Sequence, residues 1–129
     1  MGLAARAIDT PSLTACRQAI VDALTTVPGV HPTMSRPDEP VAGAAWPRWA
    51  ISQHEGVHLC GMAADEFDVY VLLNAGYEPH TVDEGDALRD ACLAALWPIG
   101  RVIQSQPTLV IFDQTRSMPA LLIRVSPRI

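Results

Sequence analysis

The chain has 129 residues, 49% of them hydrophobic, and a formal net charge of -5. That length suits one domain with one core, burying roughly two-thirds of its unfolded surface. All nine basic residues are Arg, scattered singly from Arg6 to Arg128, which excludes a domain whose main task is gripping phosphate backbones, because that needs clustered cations.

Ala, Leu, Val and Ile dominate the apolar residues and only two are Phe, so an aliphatic core is expected. No run approaches the ~20 apolar residues of a membrane helix, so no membrane partner is expected. Residues 1–12 lack the basic start and apolar stretch of a secretion signal. Arg6 stands where a myristoylation site following Gly2 needs Ser or Thr. Cys16, Cys60 and Cys92 are odd in number and widely spaced, which writes neither a disulfide framework nor a thiolate zinc site. A reducing compartment and synthesis in a cytoplasm are the expectation.

In chain order, residues 1–10 read as a flexible N-terminus. A helix then opens with Thr10 or Ser12 as cap and Pro11 in its first turn. Its stripe is Leu13, Cys16, Ile20, Leu24 and Val27, and Pro28-Gly29 ends it. His31 to Ala45 holds Pro32, Pro37, Pro40 and Gly43 and reads as a long loop, a kind that often carries function. Trp49 to Gln53 and Val57 to Cys60 read as short strands. Phe67 to Leu73 alternates cleanly, with Phe67, Val69, Val71 and Leu73 on one side and Asp68, Tyr70 and Leu72 on the other.

After Asn74-Ala75-Gly76, Thr81 and Glu84 have the spacing of a capping box. The helix they open buries Leu88, Ala91, Cys92, Ala95 and Leu96 and stops at Pro98 and Gly100. Asp83 and Asp86 suit its positive end. Two or three strands follow, Val102 to Gln104, Thr108 to Phe112 and Ala120 to Val125, the last two joined as a hairpin through Asp113 to Ser117. The expected fold is α+β: a four- to five-stranded, mainly antiparallel sheet with both amphipathic helices on one face, covering Val69, Val71, Leu121 and Ile123. The opposite face then carries Tyr70, Leu72, Val110, Phe112 and Leu122, a patch that marks a subunit interface. The alternative is that the long loop or a chain end folds over it.

His54-Glu55-Gly56-Val57-His58 matches H-E-x-x-H, in which two imidazoles one helical turn apart bind zinc and the Glu activates water. A helix is required, and Trp46, Trp49, Ala50 and Val57 would be its apolar stripe. Against it, Gly56 costs such a helix about 1 kcal/mol, Trp49, Ile51 and Gln53 fit strand alternation, and Glu55-Gly56 fits a turn. None of His31, His80 or Glu66 is a defined third ligand. Surface histidines beside a hairpin turn are the simpler reading, so no metal site is assigned. Cys60 near His58 would make a thiolate-imidazole nucleophile, but an ordinary partly buried thiol explains it. Asp83, Glu84, Asp86 and Asp90 are explained by the helix dipole before a divalent metal. No phosphate loop and no G-x-S-x-G is present, so no catalytic residue and no cofactor are assigned.

One pattern runs through residues 12 to 126: Val27-Pro28-Gly29-Val30 closing the first helix, Arg36-Pro37 leading through Gly43 to Ala45-Trp46-Pro47-Arg48-Trp49, the strand from Phe67, the helix 81 to 97, and Met118-Pro119-Ala120-Leu121 entering the last strand. With it the chain resembles the tail terminator proteins of long-tailed, siphovirus-type bacteriophages. The resemblance implies helices packed on a sheet and a homo-oligomeric ring of about six subunits at the neck of the virion. Such a ring stops tail-tube polymerisation and joins the head, so its partners are the tail tube protein and the head-tail connector or stopper. It implies no catalysis and no cofactor, and DNA that passes through the lumen without specific binding. The negative charge suits such a channel, because an acidic wall repels phosphates. The alternatives are another neck or minor tail component, and a small zinc metallopeptidase using His54, Glu55 and His58.

Overall fold

The computed structural model describes residues 12–53, 64–74 and 79–127. Helix α1 spans Leu13–Thr25, and the side chain of its N-cap Ser12 accepts a hydrogen bond from Ala15 N at 3.0 Å. Cys16, Ile20, Leu24 and Val27 are all buried, the inward stripe that helical spacing requires. A two-residue strand β1 (His31–Pro32) lies within the expected loop. Strand β2 runs over Ala44–Gln53, five residues longer at its start than the spacing predicts, and β3 over Ala64–Leu72. Helix α2 covers Pro79–Leu96, a 3-10 turn follows at Trp97–Ile99, and strands β4 (Gly100–Ile111) and β5 (Ser117–Pro127) form the hairpin.

The sheet order is β1-β2-β3-β5-β4, with β1 parallel to β2 and every other pair antiparallel. The fold is therefore α+β with a mainly antiparallel sheet. Both helices contribute to one apolar cluster in which Cys16, Ile20, Leu24, Cys92 and Leu96 meet Phe67, Val69, Val71, Leu121, Ile123 and Val125.

Four details correct the sequence reading. Thr81 and Glu84 lie inside α2, which begins at Pro79, because Pro is tolerated in a first helical turn and a spacing alone does not mark a cap. Ala91 is exposed. The segments around Val102 and Thr108 are one strand, with a register irregularity between Val102 and Gln104. Pro107 is accommodated because β4 is an edge strand whose outer side needs no N–H donor; Pro47 occupies a similar place in β2, beyond the two residues that β1 pairs. Finally, Trp46, Trp49 and Ala50 belong to a strand, so they are no helical stripe leading into His54. His54 to His58 itself, the strand expected at Val57 to Cys60, and the N-terminal residues 1–10 lie outside the described residues.

Candidate functional site

Strand register places Trp46 opposite Tyr70, Tyr70 opposite Leu122, Leu72 opposite Ala120 and Val110 opposite Met118. All these side chains point away from the helices, as period-two alternation demands. They form a second, smaller cluster: Ala44, Trp46, Leu72, Val110, Met118 and Ala120 are buried, with Tyr70 and Phe112 packed against them. Trp46 stacks on Tyr70 at 5.4 Å between ring centroids and meets Phe112 edge-on at 6.5 Å. Each such aromatic pair contributes about 0.5–1.5 kcal/mol beyond its buried area. Because β3 and β5 separate β2 from β4 in the sheet, a contact between Trp46 and Phe112 means that the sheet is curled, concave on this side.

The curl narrows the expected interface of Tyr70, Leu72, Val110, Phe112 and Leu122. Leu72 is fully buried and Val110 only 8% exposed, so both are sealed by their own chain, whereas Tyr70, Phe112 and Leu122 are half-buried. Part of the cover comes from Trp46 and part from the loop. The Arg36 guanidinium sits 5.0 Å from the Phe112 ring centre and donates to the Ile111 carbonyl at 3.4 Å. Arg116 in the β4–β5 turn bridges to Glu39 at 2.9 Å. Sequence spacing misses Trp46 as a strand residue because the proline-containing stretch before it reads as loop and Pro47 itself argues against a central strand.

Further along the same face the chemistry changes. Arg124 donates from Nε and Nη2 to the two Asp68 oxygens at 2.9 and 3.2 Å. The buried Glu66 carboxylate lies 3.9 Å from the same Nε. The bond to Asp68, more than the nearby negative charge, holds the guanidinium pKa above its ordinary value against the opposing effect of burial. This end is paired and polar.

Between the strand ends lies an open groove of about 760 Å³. Trp46, Trp49 and Tyr70 line it, together with Met34, Leu109, Val110 and Ile111. Arg17 from α1, Arg36 from the loop and Arg48 from β2 add three guanidinium groups, and among the described residues no carboxylate lines it. Among the described residues none of these three arginines has an ion pair. Trp49, Leu109 and Ile111 remain 44%, 54% and 64% exposed. Trp, Tyr and Arg are the side chains that dominate protein–protein binding energy, and uncovered apolar groups gathered in one place mark such surfaces.

The other candidates are dispersed. His31 is exposed in β1, while His54, Glu55, His58 and Cys60 lie outside the described residues. No group of three or more His, Cys, Asp or Glu able to hold a metal occurs among the described residues. Of the acidic set, Asp86 and Asp90 are exposed, and Asp90 pairs with its neighbour Arg89 at 2.8 Å. Cys16 and Cys92 are buried, and burial pushes the Cys92 thiol up to about 11. No helix among the described residues is long and apolar enough to cross a membrane. No protein-family model matches the chain, and no curated protein matches it either.

Proposed function

We propose that this chain is a structural subunit of a bacteriophage tail, a tail terminator. Its copies close into a ring of about six at the head-proximal end of the tail tube, stop polymerisation of the tube and present the surface that receives the head connector. Its place is the neck of the virion. The resemblance along residues 12 to 126 supports this reading, and one observation carries it: the groove gathers Trp46, Trp49, Tyr70 and three arginines that have no ion pair among the described residues, beside exposed Leu109 and Ile111. Such a surface is completed by contact with another protein. The formal charge of -5 suits a ring through which DNA slides, since like charge keeps phosphates from sticking.

Electron microscopy tests the reading at two levels. Concentrated protein is expected to form rings, and antibody against the chain is expected to label the junction of head and tail in virions. Labelling confined to the distal tail tip, or absent from virions altogether, overturns it.

A further inference from the structure

The groove has a counterpart on the same molecule. The outward side of α2 carries Ala87, Ala91 and Ala94, all exposed and one or two turns apart, so they share one face. Asp86 and Asp90 lie beside them, both exposed, Asp90 already paired with Arg89 at 2.8 Å, and Trp97, 70% exposed, stands just beyond the end of the helix. Small side chains let a helix backbone approach an aromatic floor closely, and Asp86 has no ion pair among the described residues. The groove offers the converse: aromatic side chains, three arginines and, among the described residues, no carboxylate.

Building on the assembly reading above, we propose that the exposed face of α2 in one copy docks into the groove of the next, with Asp86 set against the groove arginines. Charge complementarity selects this occupant. Two grooves facing each other would set guanidinium groups against guanidinium groups, and like charges across an interface repel. None of residues 85–96 of α2 lines the groove, so the two surfaces are distinct, and a contact between unlike surfaces repeats from copy to copy until it closes as a ring or runs on as a filament.

A charge-swap pair tests this with the full-length chain. Arg48→Glu leaves the helix face intact and reverses the charge at one position of the groove, beside Arg17 and Arg36; Asp86→Arg leaves the groove intact and reverses one position of the helix face. Both positions are exposed, and circular dichroism checks that each variant folds. By analytical ultracentrifugation each variant alone is expected to assemble at least about tenfold more weakly than the parent chain. Mixed in equal amounts they are expected to recover assembly, because in alternating copies every contact again sets an acidic against a basic side chain at positions 48 and 86. Variants that assemble like the parent, or a mixture that stays dissociated, overturn the docking mode while rings of the parent would still support the assembly reading. A parent that remains monomeric at the highest attainable concentration overturns self-docking, and virion labelling then decides the assembly reading separately. A parent dimer that the variants break and the mixture restores supports the docking mode and sinks the ring.

Discussion

Among single residues, Asp113 has the most sharply defined environment. One of its carboxylate oxygens accepts from Thr115 N at 2.9 Å and Arg116 N at 2.9 Å, and the other from Arg116 Nε at 2.7 Å. The Thr115 backbone bond first, then the Arg116 side chain, lowers its pKa to about 2. A carboxylate depressed in the folded state adds stability above its unfolded pKa and loses it as pH falls. The turn is thus expected to hold at neutral pH and loosen between about pH 4 and pH 2. Carbon-13 titration of the Asp113 carboxyl should show a midpoint near that lower limit, and a midpoint near 4 would mean that the turn bonds do not persist in solution. Cys92 has the opposite sign: its raised pKa of about 11 makes burial of the thiol favourable below about pH 9, a contribution lost as pH climbs towards 11. Neither behaviour is legible in sequence, where Asp113 is one polar residue of a turn and Cys92 one position of a stripe.

At the scale of elements, the junction ahead of β2 depends on Gly43. Its N–H donates to the Leu72 carbonyl at 2.9 Å, and its own carbonyl accepts from His31 N at 2.8 Å. Its φ is +90°, and an added Cβ would press into the Gly29 carbonyl oxygen. Gly29 also has positive φ, +82°, but open space around it. Gly29→Ala is expected to cost about 1–2 kcal/mol from backbone conformation alone, and Gly43→Ala clearly more, since a backbone neighbour cannot step aside. Urea denaturation of the two variants compares them directly; equal losses would show that the backbone shifts to make room. Helix α1 was legible because its stripe and cap are local, and β3 because alternation is local too. The start of α2 was not, since Thr81 and Glu84 imitate a cap inside a helix. Ala91 was misplaced because alanine suits a buried or an exposed position equally, and only packing of Cys92 and Leu96 against the sheet turns it outward.

For the whole molecule, the balance between apolar and charged contact sets how copies meet. Exposed arginine–aspartate contacts weaken as the screening length falls to about 3 Å at 1 M salt, whereas burial of Trp49 and Trp97 does not. Assembly is therefore expected to weaken by roughly tenfold between low and 1 M sodium chloride while persisting, as read by sedimentation; assembly strengthened by salt would assign the contact to apolar burial alone. The sequence by itself determined the α+β class, the core-facing stripe of α1, that of α2 apart from Ala91, and which residues of β3 lie on each side of the sheet, because these follow from periods of 3.6 and 2 within single segments. Only the tertiary structure decided that Leu72 and Val110 are sealed, that Trp46 joins Tyr70 and Phe112, and that Arg17, Arg36 and Arg48 converge on one groove. Those outcomes depend on the curl that brings β2 towards β4 across two intervening strands, a long-range closure to which no local pattern of residues corresponds.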